Sequence, residues 1–162
     1  MNIAIIGARR AKNGIGEYIG KYLKKNNADV TCVLGTSETT AQQASSALGQ
    51  YGITARPYHD FNKMMTSEKL DAVAIASPAP THRAYLLSAL EERLSVLCEK
   101  PFLDPGHGNI DKELESLFEI SRQKGTTVAM NSQWPFCLPF YDELCGHTSP
   151  RDIRCFSIRL SP

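Results

Sequence analysis

Charge of one sign is missing from this sequence: 18 basic side chains meet 17 acidic ones, leaving a net charge of +1. So balanced a chain has no broad basic footprint for a phosphate backbone, which argues against nucleic acid as partner. Long apolar runs are missing too. No stretch approaches the roughly 18 apolar residues a membrane span needs, so no membrane partner is assigned. The opening Met1-Asn2-Ile3-Ala4-Ile5-Ile6-Gly7 has no basic leader, and its apolar run is too short for a secretory signal core. Cysteine is sparse: Cys32, Cys98, Cys137, Cys145 and Cys155 form an odd set with no CxxC pair. Cys137, Cys145 and Cys155 with His147 follow no familiar zinc spacing, so no metal is assigned. Cys32 and Cys98 sit in apolar, strand-like runs, where a thiol acts as a small buried hydrophobe. Reduced thiols without a leader point to the cytoplasm.

What is present suits one soluble domain. Apolar residues make up 42% and charged residues 22% of the 162 positions, the balance of a globular protein. A chain of this size buries about two-thirds of its unfolded surface and needs no disulfide or metal staple. The hydrophobic pattern alternates between two periods. A continuous apolar run at Ile3–Ile6 reads as a strand buried on both faces, Ala72–Ala76 as a strong buried strand, and Val30–Leu34, Ser95–Cys98 and Thr127–Met130 as further strands. A short extended run covers Ile53–Tyr58. Between the strands, helical spacing joins Ile15, Ile19, Tyr22 and Leu23, then Ala41, Ala44, Ala47 and Leu48, then Phe61, Met64 and Met65. Further helices carry Leu86, Leu87, Leu90 and Leu94, with Thr81 as N-cap, and Leu114, Leu117 and Phe118, ending near Gly125. Alternation of this kind predicts a doubly wound α/β fold of Rossmann type with a mostly parallel sheet over residues 1–131. The remainder differs: a short helix around Tyr141–Leu144 and an alternating run Ile153–Leu160 look like part of another sheet.

In an open α/β sheet, ligands bind beyond the carboxyl ends of the strands. The first strand-to-helix turn runs from Gly7 through Arg9, Arg10, Gly14 and Ile15 to Gly16. Glycines let the backbone approach a pyrophosphate, and the free amides of a helix start favour its charge. The match to GxGxxG is imperfect, because Arg9 takes the second glycine position and Gly14 and Gly16 follow an expanded loop. Taken alone, the turn is either a dinucleotide site or a glycine-rich loop without a ligand. About 20 residues beyond the glycines, a carboxylate would grip the adenosine ribose. Thr36 and Ser37 stand there instead, and Glu38 opens the next helix. Small hydroxyls with Arg9 and Arg10 favour NADP over NAD, unless both arginines are merely solvated.

The stretch Ala74-Ile75-Ala76-Ser77-Pro78-Ala79-Pro80-Thr81-His82, followed after a helix by Glu99-Lys100-Pro101, resembles the glucose–fructose oxidoreductase/inositol dehydrogenase (Gfo/Idh/MocA) family. Val128–Asn131 is similar to that family's last nucleotide-domain strand. The resemblance implies a dehydrogenase or reductase that moves hydride to or from a sugar, polyol or related carbonyl compound. It implies that Lys100 is catalytic, bonding the substrate oxygen, and that the bond before Pro101 is cis. Glu99, Ser77, Pro78, His82 and Asn131 would meet the cofactor, while Gln133 and Trp134 would meet the substrate. Alternatives stay open: His82 as an exposed helix-start residue, Trp134 as packing at a domain boundary. Asp142 and His147 come too early for the acid–base pair of the family's second domain. Residues 132–162 are then a connecting segment and the first strand of that domain. The chain itself would bind cofactor and turn over little, and the full-length parent would be a homo-oligomer with a small-molecule substrate. The competing reading is a regulatory module that binds NADP(H) or coenzyme A without catalysis.

Overall fold

A computed structural model describes residues 1–8, 14–106, 108–132, 139, 140 and 143. Met1–Asn131 form one compact unit. The helix expected around Tyr141–Leu144 falls mostly, and the strand from Ile153 wholly, outside the described residues.

Six strands, β1 (Asn2–Ile6), β2 (Asp29–Leu34), β3 (Arg56–Tyr58), β4 (Ala72–Ile75), β5 (Ser95–Glu99) and β6 (Val128–Asn131), form one sheet in the order β3-β2-β1-β4-β5-β6. Every pairing is parallel. Helices α1 (Gly16–Lys25), α2 (Glu38–Gly49), α3 (Phe61–Ser67), α4 (His82–Glu91) and α5 (Ile110–Lys124) connect the strands. This is the doubly wound fold the alternating pattern predicts. Strand side chains alternate between two cores. Ala4, Ile6, Val73 and Ile75 pack with Leu86, Leu90 and Leu117 of α4 and α5. Ile3, Ile5 and Ala74 pack with Ile19, Ala44 and Leu48 of α1 and α2. The register slips between Ile3 and Ala4, which face Val30 and Cys32. That extra residue puts Val30 and Val33 in the same core, although three residues apart.

Some expectations are corrected by packing. Tyr22 is exposed, and α1 buries Gly16, Ile19 and Gly20 instead. A Cβ on Gly20 would lie 2.7 Å from a Leu48 methyl carbon, so the missing side chain sets how closely the two helices approach. Leu94 lies beyond α4, which Arg93 ends at φ 60°. Leu94 is buried only because the turn closes, its N–H donating to the Ala89 carbonyl at 2.9 Å. The run Ile53–Tyr58 is strand only from Arg56.

Helix starts are specified locally. Ser37 and Thr40 form a reciprocal capping box on α2, Asp60 accepts from the Lys63 N–H on α3, and Asn109 from the Lys112 N–H on α5. Thr81 occupies the N-cap position of α4 but its side chain caps nothing. Its hydroxyl is drawn into the preceding turn, donating to the Pro78 carbonyl at 2.7 Å.

Candidate functional site

The strand order reverses between β1 and β4, which both lie at the centre of the sheet. At such a reversal the crevice in which ligands bind lies outside the carboxyl ends of the strands. Gly7 starts the first turn at φ 77°, with its N–H donating to the Leu34 carbonyl of β2. A Cβ on Gly7 would lie 2.8 Å from both the Cα and N of Ser77, so only glycine lets these two turns close together. At Gly16 a Cβ would meet Ala8 Cα at 2.6 Å, fixing the start of α1 against the same turn. Ile15 is the N-cap of α1 and supplies no side-chain cap, unlike the residues that cap α2, α3 and α5. Among the described residues no side chain caps the first amides of α1, which lie beside half-buried Gly14 and Ile15, a fit for a phosphate group. Arg9 and Arg10 lie outside the described residues.

At the end of β2, Thr36 and Ser37 are exposed. Ser37's oxygen accepts from the Thr40 N–H at 3.2 Å, so part of its bonding capacity serves α2. Glu38 is the first residue of α2 and exposed, as a helix opener should be. No carboxylate stands between Leu34 and Ser37.

The turn after β4 is stitched from within. Ser77 is buried, Pro78 is exposed, and the Ser77 hydroxyl lies 2.7 Å from that of Thr81. His82 is only 1% exposed, so it is not the solvated helix-start residue that its position also allowed. Its Nε2 lies 2.8 Å from the Ser77 carbonyl oxygen and its Nδ1 lies 2.9 Å from that of Pro101. His82 therefore reaches the site through the backbone of two turns.

Glu99, Lys100 and Pro101 lie at the carboxyl end of β5. Glu99 is buried and pairs in register with Asn131 of β6, whose amide donates to the Glu99 carboxylate. Lys100 is exposed, and the Lys100–Pro101 bond is cis. Phe102 and Leu103, both buried, anchor the chain directly after it. Cys98 lies just below; burial, with the Glu99 charge adding to it, pushes its thiol up to about 12. Cys32 is likewise pushed up to about 12, chiefly by burial. Both act as the small hydrophobes their runs implied. Gln133, Trp134, Cys137, Cys145, His147 and Cys155 lie outside the described residues.

The structure thus brings Gly7 to Ser77, Ser77 through His82 to Pro101, and Glu99 to Asn131. Sequence reasoning missed the stitch made by Thr81, whose signal was the Ser-Pro-Ala-Pro-Thr spacing itself. A cleft of about 330 Å³ lined by Asn2, Lys24, Asp29 and Arg56 opens at the amino ends of the strands, away from all these groups. Among the described residues, no helix is long and apolar enough to cross a membrane.

Chemically, the described residues offer helix-start amides for an anion, polar groups at the ends of β4, β5 and β6, and the exposed ammonium of Lys100. Residues 1–137 match the family described as "Oxidoreductase family, NAD-binding Rossmann fold", of the Gfo/Idh/MocA type. An inositol 2-dehydrogenase of Acidothermus cellulolyticus is 34% identical over 110 residues, covering 67% of this chain and 30% of that protein. Among solved structures, the 3-ketoreductase KijD10 of Actinomadura kijaniata, in complex with TDP-benzene and NADP, superposes with TM-score 0.71 at 19% identity. It is matched over 90% of this chain and 44% of its own. The WlbA dehydrogenase of Bordetella pertussis, in complex with NADH and UDP-GlcNAcA, gives TM-score 0.68 at 19% identity, over 90% and 39%. The chain spans less than half the length of these relatives. Sequence match and fold agree, and the chain belongs to the Gfo/Idh/MocA oxidoreductase family through its NAD-binding Rossmann domain.

Proposed function

We propose that the chain is the cofactor-binding part of an NAD(P)-dependent dehydrogenase or reductase acting on a sugar, polyol or related small carbonyl or alcohol. The observation that carries this reading is the exposed Lys100, set at the end of β5 between buried Glu99 and buried Phe102. A bound nicotinamide supplies or accepts the hydride. Lys100 then donates a hydrogen bond to the substrate oxygen, where negative charge grows as a carbonyl is reduced. In the opposite direction Lys100 in its neutral form would accept the alcohol's proton as hydride leaves to the nicotinamide, and pass that proton on to solvent. Uncapped amides at Gly16, with Gly7, Gly14 and Ile15, hold the pyrophosphate, and Ser77, Pro78, Glu99 and Asn131 line the nicotinamide side.

The cofactor assigned is NADP ahead of NAD. Support comes from the absence of a carboxylate between Leu34 and Ser37 and from the small hydroxyls there, with Arg9 and Arg10 as cationic partners for a 2′-phosphate. Residues 132–162 are assigned to the connection and first strand of a second, substrate-binding domain, with Gln133 and Trp134 near the substrate. Turnover belongs to the whole parent, which we place in the cytoplasm as a homo-oligomer, and the 162 residues alone bind cofactor. Calorimetric titration with NADPH, NADH and coenzyme A in parallel tests this. NADPH binding tightest supports the reading in full, and NADH binding tightest removes the 2′-phosphate argument. Binding of coenzyme A alone overturns the dinucleotide assignment.

A further inference from the structure

His82 is the first residue of α4, yet its ring is inside the protein and touches neither end of its own helix. Its two nitrogens reach two different turns, the Ser77 carbonyl after β4 and the Pro101 carbonyl after β5. Those turns belong to neighbouring strands, and His82 stands 5 residues from one partner and 19 from the other. The first turn touches Gly7 of the phosphate loop, and the second carries Lys100. We infer that His82 is a positioning residue, a strut that couples the nucleotide-side turn at Ser77 to the turn that aims Lys100.

Three facts carry this. Ser77 is already fixed on its side-chain end by Thr81, so the His82 contact to its carbonyl adds a second restraint on a rigid turn. The Pro101 carbonyl precedes the buried anchor Phe102, so whatever holds that carbonyl sets where the chain departs from Lys100. Both partners are carbonyl oxygens, each within hydrogen-bond distance of a different ring nitrogen, so a ring N–H bonds one turn while the opposite edge of the same ring packs against the other. The rigid plane of the imidazole thus fixes the distance between the two carbonyls. Glutamine presents a single amide nitrogen and can hold one turn; alanine holds neither. The position of the Ser77 turn is thereby tied to that of the Lys100 turn through one ring, so nucleotide contact at the first is felt at the second.

The coupling to nucleotide rests on the dinucleotide reading, but the strut does not, and two readouts separate them. The first is amide hydrogen exchange of the ligand-free 162-residue chain, wild type against His82→Gln, with His82→Ala as a second variant. Exchange at Ala79 and Thr81 and at Phe102 and Leu103 is expected to differ from wild type by at least fivefold at one turn in His82→Gln and at both in His82→Ala. Strands β1 and β2 should be unchanged, which shows that the variants are folded. Unaltered exchange at either turn in His82→Ala overturns the strut. The second is NADPH titration followed by amide chemical shifts. Wild type should show saturable shifts at Ala79 and Thr81 together with Phe102 and Leu103. In His82→Gln the shifts at Phe102 and Leu103 should fall by more than half, and NADPH should bind about tenfold more weakly. Full shifts at Phe102 and Leu103 in the variant overturn the coupling. Wild-type chain that ignores NADPH and NADH defeats the dinucleotide reading instead, and the exchange experiment still decides the strut.

Discussion

Replacing Gly7 with Ala tests the contact on which the crevice is built. Gly7 sits at φ 77°, and its absent Cβ would lie 2.8 Å from Ser77 N and Cα and 3.1 Å from the Ala76 carbonyl carbon. The left-handed backbone costs an L-residue about 1–2 kcal/mol. The three neighbours are all backbone, so nothing can rotate aside. β1 and β4 are paired directly, and their turns must separate by several tenths of an ångström. Overpacking of that kind costs about 1–3 kcal/mol. Together the loss is about 2–5 kcal/mol, a large share of the ~5–15 kcal/mol that holds a domain folded. With a urea slope of about 2 kcal/mol per molar, the unfolding midpoint should drop by about 1–2.5 M. Gly125 supplies the control: φ is 68° and nothing lies within 4 Å of its Cβ position. Gly125→Ala carries the backbone cost alone, about 1–2 kcal/mol, and should leave NADPH binding unchanged. Gly7→Ala should weaken NADPH at least tenfold below its unfolding midpoint. Equal midpoints for the two variants would show that the close approach of Gly7 to Ser77 contributes nothing and would refute the argument.

Other perturbations follow from single contacts. In the full-length parent, Lys100→Ala should lower kcat by about 10²–10³ with cofactor affinity nearly intact, as for loss of a donor to a developing oxyanion. Equal loss of cofactor affinity would make the lysine structural. Arg93→Gly should raise stability by about 0.5–1 kcal/mol, because Arg93 ends α4 in a left-handed conformation with its side chain exposed; a lower thermal midpoint would contradict this. Glu68 accepts from Arg56 and from the Tyr58 hydroxyl, and its carboxyl is held below the usual range, chiefly by the Arg56 bonds. A depressed carboxylate adds stability above its unfolded value and loses it as pH falls, so the wild-type margin over Glu68→Gln, about 1–2 kcal/mol near neutrality, should start to fall near the ordinary glutamate value of about 4.3 and shrink further below it. A margin constant in pH would exclude the ion pair as its source. Cys32 and Cys98 should resist alkylation near pH 8 until the chain unfolds, read by mass spectrometry of their peptides.

Legibility differed by the range of the interaction involved. Strands buried on both faces announce themselves as Ile3–Ile6 and Ala72–Ala76 do, because neither face needs a polar residue. Their alternation with helices then leaves few topologies, so the sheet was readable almost whole. Glu99-Lys100-Pro101 was readable because a motif at the end of a buried strand has one place to be. What stayed hidden depends on which carbonyl a side chain meets across the fold. Thr81 looked like a cap by position, and nothing local said that Pro78 would capture its hydroxyl first. His82 could be placed near the site but not inside it, because its second partner, Pro101, comes from the next strand-and-turn unit. Tyr22 misled for the opposite reason. Gly16 and Gly20 bury the face of α1 that contacts the sheet and α2, and glycine has no hydropathy signal to show it.

The groups around the crevice divide into those already satisfied and those left open, and the division says where binding energy can enter. Ser77 and Thr81 meet each other, His82 meets two carbonyls, and Asn131 meets Glu99. None of these gains a first partner when a ligand arrives, so they hold geometry and add little affinity of their own. The first amides of α1 and the exposed Lys100 are different, since among the described residues no side chain caps the former and none bonds the latter. On the proposed function, an anion at the helix start and a polarised oxygen at the lysine would replace water, at two points whose separation the satisfied groups set. Preorganised donors of this kind need no rearrangement when charge develops, which is where an oxidoreductase draws its rate. Affinity should accordingly follow changes at Gly7 and Gly16, and rate should follow changes at Lys100. The one ring spanning both turns, His82, is where the two effects should appear together.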